Sequence, residues 1–432
     1  LKASKVVTAE AFSFESAEGE FPMGKGIRLF FMMFLQYTVW GAWYPVITVY
    51  LQNTLGFDGV QAGVVFGLLS LATIISPFIG GQLADRYFST QKVIAAFHLV
   101  GGVLLFFVSK ISSYTPMVLL FFVYCLLYAP TIALTNSLAF RHLKDSEKEF
   151  GFIRVGGTIG WIAIGLGLTG WRILAESHPA LSHPGDMLLL AGFMSILLGL
   201  YALTLPDTPP NKEKSNPLAF LAALKMMKNR NFAIFILINF IVSTELMFYY
   251  QLTGPFLVSE KIGISPTGLS GVMVIAQIAE ILVMALLLPY FLPKFGIRKT
   301  LILGILAWPL RYIIFAIGAP VWLVIASLSL HGFCYVFFFT ASQIYVDTVA
   351  PRDIRASAQS LIILVTIGLG MYLGSIFAGW VQNIFSVKGE AGNILSTNWV
   401  GVFIVPFVLT VLCAIAFLLS FKEKLSFSGQ DK

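Results

Sequence analysis

Apolar residues run in twelve long stretches separated by short polar loops, six on each side of a charged, proline-punctuated connector. The stretches fall at 27–51, 59–84, 92–110, 116–140, 150–173 and 187–205, then at 232–258, 265–292, 300–318, 320–346, 356–385 and 399–421. A helix that crosses a bilayer needs about 20 mainly apolar residues, and these runs have that length. Polar–apolar alternation is absent and the runs are too long for the strands of a membrane barrel, so helices have to satisfy the backbone hydrogen bonds. The pattern predicts an all-α polytopic membrane protein of transporter shape. Its expected parts are a polar extension at 1–26, a six-helix bundle at 27–205, a linker at 206–231, a second six-helix bundle at 232–421 and a tail at 422–432.

Composition narrows the reading. Hydrophobic residues make up 57% of the 432 and charged residues only 11%, which excludes an ordinary soluble globular domain. The net charge of +7 does not point to nucleic acid, because the basic residues are spread among alternate loops instead of forming one stripe. Lys110, Arg172, Lys261 and Lys388 fall in loops on one side and Arg311 lies inside a span; every other Lys and Arg falls on the side of the N-terminus. By the positive-inside rule both termini are expected in the cytoplasm. The three cysteines, Cys125, Cys334 and Cys413, lie inside spans without metal-ligand spacing and read as small buried apolar residues. Neither a metal nor a cofactor is expected, and no nucleophile–base pair suggests an enzyme.

The first 22 residues are polar and acidic and lack the apolar core of a signal peptide; Met23 is a candidate start. In the connector, Pro206, Pro209 and Pro210 end the sixth helix. Asn216 and Pro217 then read as a cap and first turn, ahead of an amphipathic helix bearing Leu218, Leu221, Leu224 and Met227 on the inner membrane face. Spans four and ten are each followed by a polar loop ending in Ile-Arg, at Ile153-Arg154 and Ile354-Arg355, as expected of two related halves.

Gly81-Gln82-Leu83-Ala84-Asp85-Arg86, with Lys92 after it, resembles the loop signature of the major facilitator superfamily, and Pro293 to Lys299 resembles a degraded second copy. In that reading Gly81, Asp85 and Arg86 form a conformational latch on the inward side. More narrowly, the chain resembles the nucleoside:proton symporter branch of that superfamily. The resemblance is carried by Phe34-Leu35-Gln36 with Trp40-Gly41-Ala42-Trp43, by Ala129-Pro130-Thr131 and by Leu134-Thr135-Asn136-Ser137. It continues through Ile153-Arg154-Val155-Gly156-Gly157-Thr158-Ile159-Gly160, Gln277-Ile278-Ala279-Glu280 and Ile354-Arg355-Ala356-Ser357-Ala358-Gln359. The resemblance implies a bacterial inner-membrane importer, acting as a monomer, that binds a nucleoside in a central cavity and couples entry to protons.

It also implies substrate contacts at Arg154, Thr158 and Trp161 in span five, Met247 and Tyr250 in span seven, Gln277 and Glu280 in span eight, and His331 and Tyr335 in span ten. Helical spacing places Arg154, Thr158 and Trp161 on one face, and likewise Gln277 with Glu280 and His331 with Tyr335. Aromatic rings there can stack on a base, while Arg154, Thr158, Gln277 and Glu280 can meet sugar hydroxyls and base edges. Four positions depart from the family pattern: Met247 stands for a glutamine, Tyr250 for an asparagine, His331 for a tyrosine and Val336 for an aspartate.

Glu280, an ionisable group at membrane depth, is the foremost candidate for proton coupling, against the alternative of a permanently paired structural acid. His331 is a second proton-coupling candidate, against a helix-packing histidine. Arg154 either contacts substrate or snorkels to the interface. Glu245 lies mid-span on the face away from Met247, where it has another helix to pair with, and Arg311 reads as a structural anchor. Glycines at 156, 157, 160, 165, 167 and 170, and at 368, 370, 374 and 379, are expected to permit close helix approach, and Phe337, Phe338 and Phe339 to face lipid or packing partners. Other readings are a carrier of another polar solute such as a glycoside, uncoupled from protons, and a non-transporting membrane sensor.

Overall fold

Backbone groups in an apolar run have no solvent to bond, and every one of the twelve runs satisfies them as helix in a computed structural model. The structure describes residues 23–143, 145–210 and 218–422, with no side-chain positions for residues 81, 82, 85 and 146–148. The expected extension before residue 23, the Asn216–Pro217 cap and the tail beyond residue 422 lie outside the described residues. Nine helical stretches among those described are long and apolar enough to cross a membrane. One of them, Leu269–Ile317, carries spans eight and nine in tandem; the first span, Met23–Trp43, and the sixth, Asp186–Ala202, complete the set.

Span boundaries follow the apolar pattern closely, and the departures have local causes. Span five begins at Ser146, ahead of its apolar run, because polar residues extend the helix into the loop. Spans eight and nine are parted at Gly296, whose φ of 73° is a conformation glycine adopts without penalty. Span ten is interrupted: Val321–Ser327 and Leu330–Cys334 are separate α segments, Tyr335–Thr340 is a π turn, and Ala341–Val349 resumes the α-helix. Other π turns lie at Tyr50–Thr54, Pro77–Gly81, Val283–Leu287 and, in span eleven, Leu364–Gly370. Between spans eleven and twelve a small antiparallel hairpin pairs β1 (Ser386–Lys388) with β2 (Ile394–Thr397), strands too short to show as alternation in the sequence.

The chain divides into two compact units that exchange pieces of the two sequence halves. The first holds described residues up to 55 with 71–210 and 266–274; the second holds 56–70, 218–265 and 275–422. Small residues explain the exchange. In the second unit a Cβ on Gly59 or Gly63 would collide with the carbonyls of Gly379 and Ser375 in span eleven, so span two can lie there only with glycine. The Gly59 N–H donates to Asn383 Oδ1 at 2.7 Å, and Lys388 Nζ pairs with Asp58 Oδ2 at 3.0 Å. In the first unit the Gly271 N–H donates to Thr169 Oγ1 at 2.9 Å, and Arg172 forks onto both Asp186 oxygens at 2.7 Å while also donating to the Pro266 carbonyl.

Gly156 and Gly160 abut the carbonyls of Phe30 and Phe34 and let spans one and five pack backbone to backbone. Gly167 and Gly170 correct the expectation, since a Cβ on either meets nothing within 4 Å. Phe337, Phe338 and Phe339 are buried as packing residues, and all three cysteines are buried and free. In the connector the expected amphipathic helix is a short α turn, Phe220–Ala223, followed by a 3-10 stretch, Leu224–Lys228; Leu218, Leu221, Leu224 and Met227 are exposed, as are Lys225 and Lys228, and Ala223 is buried.

Candidate functional site

In the first unit, the polar face of span five meets the aromatic face of span one. Gly41 brings the two helices together at Trp161, leaving room for no larger residue. Trp161 packs edge-on against Trp40 at 5.5 Å and Tyr44 at 6.1 Å between ring centroids. The Arg154 guanidinium lies 4.4 Å from the Tyr37 ring centroid, a cation–π contact that holds it on the helix pair and away from a purely interfacial role. Arg154, Thr158 and Trp161 are all half-buried, as groups lining an accessible wall must be. Sequence reasoning named these three and missed Tyr37, Trp40 and Tyr44, although Trp40 lay within a quoted motif; its indole Nε1 is buried without a protein partner.

Beneath that wall lies a hydrogen-bonded hub. Gln36 donates to Thr131 Oγ1 at 2.9 Å, and its Oε1 lies 3.0 Å from His98 Nε2. His98 Nδ1 lies 3.0 Å from Ser195 Oγ, Tyr128 donates to the Gln36 carbonyl at 2.8 Å, and Thr131 donates to the Tyr128 carbonyl at 2.6 Å. The Gln36 and Thr131 motifs therefore serve this hub, which fixes spans one, three, four and six. Its fully buried His98 carried no sequence signal, because its partners are distant in the chain.

In the second unit three of the residues named from spans seven, eight and ten, Tyr250, Glu280 and Tyr335, converge on His331. Its Nε2 lies 3.3 Å from the Tyr250 hydroxyl and 3.8 Å from Glu280 Oε2. Its ring stacks on Tyr249 at 4.8 Å and 20° and lies 5.6 Å from Tyr335. The Glu280 side chain is 19% exposed while that of His331 is fully buried, so the carboxylate is the more accessible member of the pair. Protonation of His331 would turn the contact into an ion pair, whereas protonation of Glu280 removes its charge. Gln277, one turn from Glu280, keeps an Oε1 with no protein partner among the described residues. Met247 is fully buried and packs toward Gly374; Val336 is buried as well.

Of the latch residues, Arg86 is exposed at the end of the short helix Gln82–Arg86, and the side-chain positions of Gly81 and Asp85 lie outside the described residues. Glu245 and Arg311 are both fully buried and make no ion pair among the described residues, contrary to the expected helix-to-helix pairing of Glu245. No group of three or more His, Cys, Asp or Glu suited to a metal occurs among the described residues.

The fold and these constellations agree with known proteins. A family model described as "Nucleoside H+ symporter" matches residues 23–426. The chain is 35% identical to YegT of Escherichia coli (strain K12), over 92% of this chain and 93% of that protein. It is 31% identical to the nucleoside permease NupG of the same strain, covering 93% and 97%, and 31% identical to its xanthosine permease, covering 93% and 96%. The crystal structure of the nucleoside transporter NupG superposes with a TM-score of 0.80 at 30% identity, over 93% of this chain and all of that one. This all-α, multi-pass membrane protein has the twelve-helix architecture of the major facilitator superfamily and belongs to the nucleoside H+ symporter family.

Proposed function

We propose that this protein is a secondary active transporter that imports nucleosides together with protons by alternating access, as a monomer in a bacterial inner membrane with both termini cytoplasmic. The observation that carries the reading is the Tyr250–His331–Glu280 cluster, a partly exposed carboxylate held 3.8 Å from a fully buried imidazole. An ionisable group at membrane depth is costly unless it works.

The roles follow from chemistry. Trp161, backed by Trp40, offers a ring for base stacking, and Arg154 and Thr158 offer donors beside it. Gln277 offers an unspent acceptor. Glu280 accepts hydroxyl hydrogens when ionised and carries the coupled proton when neutral, with His331 sharing that proton. Tyr335 and Tyr250 fix the imidazole, and Met247 lends apolar packing behind it. The sequence halves 27–205 and 232–421 are the moving bodies, and Gly81, Asp85 and Arg86 form the inward latch. Positive-inside loops and exposed apolar rings such as Trp322 and Trp380 support the assigned orientation and lipid contact.

The test is counterflow in proteoliposomes loaded with unlabelled solute, run across nucleosides, glycosides and amino acids. Labelled nucleoside should exchange and the other classes should not. A clear glycoside signal with no nucleoside exchange would replace the substrate assignment.

A further inference from the structure

Two opposite charges lie unpaired inside the second unit. Glu245, midway along Arg230–Val258, is fully buried; Thr244 donates to its Oε1 at 3.2 Å, and its Oε2 has no protein partner among the described residues. Arg311 in span nine is equally buried, and none of its three guanidinium nitrogens finds a protein acceptor among the described residues. Its guanidinium carbon lies instead 3.9 Å from the Tyr249 ring centroid, 4.6 Å from that of Trp308 and 5.4 Å from that of Tyr312. The two helices are joined where the Tyr312 hydroxyl donates to the Glu245 carbonyl oxygen.

These two groups answer burial differently. A carboxyl group without a cation is stable there as the neutral acid, which has no charge to desolvate. A guanidinium cannot shed its proton and keeps its charge on aromatic faces. We propose that Glu245 is a second proton-binding site of the transport cycle and that Arg311 is the counter-charge recruited by its ionised form. When Glu245 releases its proton, carboxylate and guanidinium attract across a low-dielectric bundle. The attraction draws Arg311 away from Tyr249, and Tyr249 is the ring stacked on His331 of the Tyr250–His331–Glu280 cluster. Proton occupancy at Glu245 is thereby transmitted to the substrate site.

The groups facing Glu245 are Thr244 on its own helix, Tyr312 on span nine and Cys413 on span twelve; Gly374 of span eleven, against Thr244, brings no charge. Arg311, the residue before Tyr312, is the permanent cation within span nine.

The proposal rests on the reading of the chain as a proton-coupled nucleoside transporter, and the experiment separates the two. Wild-type and Glu245→Gln proteins are reconstituted, and nucleoside counterflow, accumulation under an imposed pH gradient, and substrate-triggered proton uptake are measured. The glutamine mimics the neutral acid, so counterflow should persist while accumulation falls by about tenfold and proton uptake falls with it. Wild-type accumulation and proton uptake in Glu245→Gln would overturn the assignment. Absence of nucleoside counterflow in the wild type would instead overturn the transporter reading, and this proposal with it. Arg311→Met supplies a second measurement independent of how Glu245→Gln folds. Removing the counter-charge makes the ionised acid costlier, so the pH profile of accumulation should move to higher pH, and Arg311→Lys should restore it. An unmoved profile in Arg311→Met would overturn the role of the pair.

Discussion

The two buried histidines, His98 in the first unit and His331 in the second, lie in polar surroundings that differ in how far they are satisfied. In the first, Gln36, His98, Ser195, Thr131 and Tyr128 close a network in which both His98 ring nitrogens have partners. In the second, Glu245, Gln251, Arg311 and the His331 Nδ1 keep polar atoms without protein partners among the described residues. A satisfied network has one good arrangement and rigidifies its bundle, whereas unsatisfied groups are costly in place and gain from moving. The contrast assigns the first hub to scaffolding and the second cluster to switching, and it agrees with the interrupted, π-turn geometry of span ten where His331 and Tyr335 sit.

The sharpest way to break this contrast is to remove each histidine. His98→Leu leaves Gln36 Oε1 without its partner, while Gln36 keeps Thr131 and Ser195 keeps the residue-98 carbonyl, and should cost about 1–3 kcal/mol as one orphaned buried group. His331→Leu should cost clearly less while impairing uptake more. Thermal unfolding of both variants in detergent, beside uptake, checks the order, and equal destabilisation would erase the distinction.

The helix seams offer the next test. Gly160→Leu forces a side chain into the Phe34 carbonyl and should cost about 1–3 kcal/mol by overpacking. Gly167→Leu enters open space and should stay within about 0.5 kcal/mol of wild type. Glu280→Gln should lower proton-driven nucleoside accumulation by about tenfold while leaving the melting temperature close to wild type, because the substitution keeps the side chain's shape at a partly exposed position.

The smallest effect lies at the hairpin. Burial pushes the Asp58 carboxyl up, but the Gln61 backbone N–H, Lys388 and Asn383 together outweigh it and hold the group below its ordinary value. A carboxylate lowered in the folded state contributes stability that is present above its unfolded pKa and lost as pH falls through the folded value. Acidification below the usual carboxylate range should therefore loosen β1 and β2, seen as faster amide exchange at 386–397. Asp58→Asn should show that faster exchange already at neutral pH.

The sequence carried the helices because an apolar run of span length has one backbone solution in lipid. Arg154, Thr158, Trp161, His331 and Tyr335 were legible through the family resemblance, and helical spacing added only that each set shares one face. Other features were not legible. His98 is tied to Gln36 and Ser195 across 62 and 97 residues, so no local pattern reveals it. Gly167 and Gly170 have the same composition signal as Gly156 and Gly160 but no neighbouring helix. The pairing expected of Glu245 followed from the cost of burying a lone charge, and the structure instead sets its carboxyl beside Thr244 and the Arg311 guanidinium against aromatic rings. The exchange of 56–70 and 266–274 between units depends on which glycines face which carbonyls, a tertiary fact.

Proton movement triggered by nucleoside tests the account most directly. Wild-type protein in sealed, gradient-free proteoliposomes enclosing a pH-sensitive dye should acidify the interior when nucleoside is added outside, and Glu280→Gln should abolish that response. Nucleoside entry with no interior pH change in the wild type, or an undiminished change in Glu280→Gln, would contradict it.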